Sequence, residues 1–231
     1  MGNTELDKNS IVDANYDYTA IGGDNTLTMQ ALANWGGLAE ESKAPFVSSP
    51  VILSNDIAYS NDVILHNAEI ISNMSEVKAA IYEHGAVMAD MYYSSRYMDY
   101  NTGAYYDFNG NQYNNHVVTI VGWDDTYDKN NFNSKSSTQL RIPKSDGAWI
   151  VQNSYGENWG DSGYFYISYE DMSLENAMVL DVQDADIYDY NYQYDGNANP
   201  AYLVLSAGDK AANVFEVKQP WQRLEAVGFT T

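Results

Sequence analysis

Two β-branched, apolar runs, residues 117–122 and 148–152, set the narrowest limit on what this chain can become. Both have strand composition, and runs of that kind pair as members of one sheet. A third run, residues 163–169, alternates apolar or aromatic residues with small or polar ones and pairs beside them. His116 stands immediately before the first run and Asn153 immediately after the second. A sheet that joins the runs lets the two side chains meet, and an imidazole against a carboxamide is two thirds of a catalytic triad. Each residue alone has a plainer reading. A strand histidine can be a satisfied core residue, and an asparagine at a strand end can simply turn the chain.

The flanking residues favour the first reading. Asn115 precedes His116, and Asn153-Ser154-Tyr155-Gly156-Glu157-Asn158-Trp159-Gly160 follows the second run. This pattern resembles the C-terminal half of a papain-like (C1 family) cysteine peptidase, where a His follows an Asn or Asp and an Asn-Ser-x-Gly-x-x-Trp-Gly segment supplies the orienting amide. The resemblance implies an α+β, papain-like fold: a partial helical half, a complete antiparallel β-barrel-like half, and extra β-strands at the C-terminus. It implies His116 as general acid/base and Asn153 as the group that holds the imidazole in the working tautomer, with a thiolate as nucleophile.

The thiolate has no source here, because the 231 residues contain no cysteine. In the family the His and Asn follow the nucleophile by about 130–150 residues. Counted back from His116, that distance passes Met1, so the expectation is a chain that begins downstream of its Cys segment rather than one with a replaced nucleophile. The oxyanion-hole Gln and the nucleophile helix are missing with it. Ser10 is the only serine before the Gly22-Gly23 pair, and its surroundings offer no active-site turn. The chain alone is therefore expected to be inactive, with a complementing N-terminal segment as partner and peptides or proteins as substrate. No cofactor is implied.

Upstream residues fit the same resemblance. Gly22 and Gly23 precede a helical stretch from Thr26 to Trp35, with Asp24 or Asn25 as cap and Gly36-Gly37 as stop. The family binds substrate along a Gly-Gly backbone, which gives Gly22 and Gly23 a substrate-contacting role; on spacing alone the pair is only a turn. Residues 73–85 predict an amphipathic helix with Asn73 and Glu76 in capping-box spacing, Gly85 as stop, and Val77, Ala80, Ile81 and His84 on one face. The strand at 86–93 follows, and the resemblance offers Ala89 and Met91 as walls of a substrate pocket; core packing accounts for them equally.

Two features depart from the family pattern. Tyr155 stands where a Trp is usual, covering the His–Asn hydrogen bond, while Trp159 is retained. A polar insertion at 124–146 separates two strands, and a connection that long is functional or mobile.

The division expected is 1–46 for the remaining helical half, 47–185 for the β-rich half with His116 and Asn153, and 186–231 for a β-rich addition. That addition, with strand-like runs near 202–205, 212–217 and 224–231, resembles the start of the lectin-like domain behind bacterial surface peptidases of this family, or else extends the peptidase sheet. Loss of the nucleophile helix is expected to uncover Trp35 and Trp149.

Charge and composition exclude other classes. A net charge of −21 with only 11 Lys and Arg argues against nucleic acid. The three His are too scattered for zinc, so no metal site is expected, and acids at 184, 186 and 189 read as a solvated turn rather than a Ca²⁺ loop. No stretch approaches the about 20 apolar residues of a membrane span. Residues 1–8 have no apolar signal core, and extracellular or cell-surface placement follows only from the resemblance. Beside the peptidase reading stand a non-catalytic peptide- or glycan-binding surface module and a structural remnant.

Overall fold

A computed structural model of the chain describes residues 24–35, 38–43, 61–110, 113–132, 134–136, 139–193 and 206–228. Gly22, Gly23 and the Gly36-Gly37 stop lie outside these residues. The chain divides into two compact units, one of residues 17–29 and 66–181, the other of 1–16, 30–65 and 182–231.

Helix α1 spans Asn25–Ala33. Asp24 is its cap, because the Asp24 carboxylate accepts the Leu27 backbone N–H at 2.8 Å. The helix ends before the glycines: Trp35 takes the left-handed conformation (φ 57°), and its N–H reaches Leu32 O at 3.0 Å. Strand β1 (Val63–Ile71) follows, then a 3₁₀ turn at Met74–Glu76 whose cap Asn73 accepts the Ser75 N–H at 3.0 Å, then helix α2 (Val77–His84). Glu76 makes no side-chain cap, so Asn73 does the capping unaided. Val77 and Ile81 are buried as their spacing predicts, whereas His84 is exposed near the end of the last turn. Gly85 stops the helix at φ 87°, a conformation that suits glycine.

The remaining strands are β2 (Val87–Met91), β3 (Met98–Asp99), β4 (Ala104–Tyr105), β5 (His116–Asp124), β6 (Ser134–Ser136), β7 (Gln139–Arg141), β8 (Ala148–Gln152), β9 (Tyr164–Ser168) and β10 (Glu175–Asp184). Eight of the ten form one sheet in the order β1-β10-β2-β5-β8-β9-β4-β3, and β6 pairs with β7. The three runs that opened the argument are thus the adjacent central strands β5, β8 and β9. They pair antiparallel, as does β2 with β5, but β4 runs parallel to β9, a departure from an all-antiparallel sheet.

One continuous core lies against this sheet and includes Val77 and Ile81 of α2, Val87 and Ala89 of β2, Ile120 of β5, Val151 of β8 and Phe165 of β9. Trp149 belongs to it at 5% exposure, with Tyr169 edge-on at 4.8 Å, so the expected uncovering of Trp149 is not seen. The Lys78 ammonium lies 4.6 Å from the Tyr169 ring centre and pairs with Asp125, closing that edge. The 124–146 insertion is anchored where it is described: Phe132 has no exposed surface and packs with Tyr127 and Tyr106.

The expected C-terminal strands are corrected in part. Residues 206–228 contain no strand. Strand pairing draws its stability from neighbours across the ladder, and here Val217, Trp221 and Leu224 stay 60%, 91% and 80% exposed. The Tyr192 hydroxyl ties the segment instead, donating to the Gln222 side-chain oxygen at 2.6 Å and accepting the Lys218 N–H at 2.9 Å.

Candidate active site

His116 is the first residue of β5, and Asn153 is the first residue beyond β8. Register brings them together. Thr119 faces Gln152, so the ladder continued by one step sets Asn153 opposite Val118, two residues from His116 and on the same face. A bulge at Val121, between the Ile120 and Gly122 pairings, shifts the register by one residue beyond the site. The Asn153 N–H is held by Gly163 O at 2.9 Å.

The side chains meet. His116 Nε2 lies 2.9 Å from Asn153 Oδ1, and the Ser154 backbone N–H donates to the same oxygen at 2.8 Å. The second contact settles the chemistry of the first. An N–H pointing at the amide end requires oxygen there, so Nε2 must carry the ring proton and donate it. Nδ1 is then the free lone pair, and no described residue hydrogen-bonds it. This is the state a general base needs: one nitrogen pinned, the other available. Asn153 is 7% exposed, and its Nδ2 has no hydrogen-bond partner among the described residues.

Aromatic rings enclose the pair. Tyr155 lies 5.2 Å from the His116 ring and tilted by 30°, and Tyr93 lies at 5.7 Å on another side. Trp159 meets Tyr155 edge-on at 5.5 Å and Phe165 at 5.3 Å, tying the cover to the core. Tyr155 is itself 49% exposed, so the usual Trp position is filled by a ring with one face to solvent. Burial raises the Tyr155 and Tyr93 phenols above their ordinary range, so both remain neutral donors at any pH where the imidazole works.

Local sequence explains the turn that carries Tyr155 and Trp159. The Gly163 N–H donates to Trp159 O at 2.7 Å. At Gly160 (φ 58°) a Cβ would come 2.4 Å from Tyr164 O, so only glycine fits after the tryptophan.

Two participants were not in the sequence-based set. Asn115 grips Tyr93 twice, accepting its N–H at 2.7 Å and donating to its carbonyl at 3.1 Å. The Asn before the His in the motif is the signal for the first of them. Nothing in the sequence pointed to Tyr93. Ala89 and Met91 are fully buried; Met91 is the register partner of His116, and both pack in the core, so the packing reading is the one their positions support. Gly22 and Gly23 fall outside the described residues.

With this geometry in place, the comparisons decide the lineage. A family model described as papain family cysteine protease matches residues 2–182. The chain belongs to the papain family of cysteine proteases. Among papain-family relatives, it is 30% identical over 108 residues to the cathepsin B-like cysteine proteinase 4 of Caenorhabditis elegans, covering 46% of this chain and 27% of that protein. It is 28% identical over 151 residues to mouse cathepsin K, covering 64% of this chain and 41% of that protein. The chain therefore spans well under half the length of these curated relatives. Among solved structures, the cysteine protease and lectin-like domains of Cwp84, a surface layer associated protein of Clostridium difficile, superimpose with TM-score 0.62 at 29% identity, covering 72% of this chain and 38% of that chain.

Proposed function

We propose that this chain supplies the acid/base half of a papain-type peptide-hydrolysing site, with His116 as proton carrier and Asn153 as its orienter. The observation that carries the proposal is the Nε2 contact at 2.9 Å with the amide oxygen that Ser154 N–H fixes in place. In this scheme Nδ1 takes the proton of a cysteine thiol, the thiolate attacks the peptide carbonyl, and the same nitrogen returns the proton to the leaving amine. Asn153 neither gains nor loses a proton; it prevents the ring from flipping.

The thiol comes from polypeptide other than these 231 residues, which contain no cysteine. The unpartnered Asn153 Nδ2 is consistent with a site completed by a further segment. Within the chain, the family match ends at residue 182, which supports residues 186–231 as the start of a following domain. The Cwp84 protein pairs its protease with a lectin-like domain at a surface layer, and the same arrangement and an extracellular or cell-surface location are proposed for this chain.

The test compares turnover of a fluorogenic peptide by the pure chain and by the same chain extended through its upstream coding sequence. The chain alone should show none, and the extended protein should show cysteine-dependent turnover that His116→Ala abolishes. Turnover by the 231 residues, or activity indifferent to His116, would refute the reading.

A further inference from the structure

One buried polar network is built on β2, the strand that pairs with His116. Asp90 of β2 is 6% exposed, and Asn25, the first residue of α1, is 1% exposed. Asn176 joins them across the β10 bulge, where it adopts φ 52°. The Asn25 side-chain N–H donates to Asn176 O at 2.7 Å, and the Asn176 side-chain N–H donates to Asp90 Oδ2 at 3.0 Å. The Asn25 backbone N–H also points at the Asp90 carboxylate. Two buried oxygens, Asn25 Oδ1 and Asp90 Oδ1, are left with no hydrogen-bond partner.

A buried acceptor without a donor is costly, and this network holds two. One proton repairs both: a neutral Asp90 donates its O–H to the Asn25 amide oxygen, and the triangle closes. The groups that face Asp90 push the same way. Asp24, which caps α1, and Glu175, its register partner on β10, are both acidic, and Val117, its partner on β5, carries no charge. Burial raises the Asp90 carboxyl above its ordinary value despite the donors from Asn176 and Asn25.

We propose that Asp90 is a positioning residue that, in its protonated form, latches the start of helix α1 to the strands beside His116 through a hydrogen bond to Asn25. Asp90 reaches the site from two sides. Its partner Val117 directly follows His116, and its other partner Glu175 accepts the Asn114 amide, two residues before His116, at 2.6 Å. The latch is fully made below the ordinary carboxylate pKa and is lost as pH rises through the raised value. Its bearing on catalysis rests on the peptidase reading. The contact itself does not, and its test needs no activity.

The test is backbone hydrogen exchange of residues 27–33, corrected for intrinsic rates, from about pH 4 to about pH 7.5. In the wild-type chain, protection of α1 should fall by at least about threefold across that range as the latch opens. Asp90→Asn places a permanent donor opposite Asn25 and should hold protection level across the range; Asp90→Leu should be low throughout. A ¹³C titration of the Asp90 carboxyl, which should ionise above the ordinary carboxylate range, keeps the proposal testable if the Leu variant does not fold. Flat wild-type protection, the same pH slope in Asp90→Asn, or an Asp90 carboxyl that titrates normally would overturn it.

Discussion

The central strands and the segment at 206–228 are built from the same kind of sequence, short apolar runs broken by polar residues, yet only the first became a sheet. Ile120, Val151 and Phe165 have no exposed surface, whereas Trp221 and Leu224 are almost wholly in solvent. The difference is one of neighbours. Strands β5, β8 and β9 each find a partner on both sides, and α2 lies against the core they form. An apolar run becomes a strand by burial against others, and a pattern confined to one segment cannot say whether those others are at hand.

Substitutions sharpen that contrast. The largest effect belongs to Phe165→Ala, which empties a packed position that also supports Trp159; urea unfolding should register a loss of about 3–5 kcal/mol. A similar loss at Trp221→Ala would contradict the contrast, since an exposed ring should cost no more than about 0.5 kcal/mol.

A pH effect should fall between them. Burial pushes the Asp171 carboxyl up to about 6, although it accepts N–H groups from Asp107, Ser173 and Leu174 and the Ser173 hydroxyl. A carboxyl whose folded pKa is raised stabilises the fold below its unfolded value and loses that contribution as pH rises through about 6. Unfolding free energy should drop by no more than about 3 kcal/mol between pH 4 and pH 7. Asp171→Asn should flatten that profile, and an unchanged slope would exclude the residue as its source.

Gly160→Ala, in the turn between β8 and β9, should cost roughly 1–3 kcal/mol. Its diagnostic consequence is local: the displaced Trp159 and Tyr155 should quicken solvent exchange at the His116 ring more than they weaken the fold.

Much of the site was legible because motif and strand register coincide. His116 and Asn153 each abut a run whose pairing could be read from β-branched residues, so their meeting followed from the sheet. Trp159 and Tyr155 were legible from the same motif. Tyr93 was not, since it joins the site only through β2 and the grip of Asn115. Ala89 and Met91, which the sequence left open between pocket wall and core, are both buried in the core. The Asp90 network was invisible for another reason, because it assembles from residues 25, 90 and 176, with no local pattern to link them. His84 shares the angular face of Val77 and Ile81 but is exposed because it is the last residue of a short helix.

The central claim is that Asn153 fixes the His116 tautomer, and ¹⁵N NMR of the imidazole tests it directly. The ring should be neutral and protonated at Nε2, with that proton slow to exchange, and Asn153→Ala should abolish this signature. A ring protonated at Nδ1, or one whose tautomer is unchanged by Asn153→Ala, would contradict it.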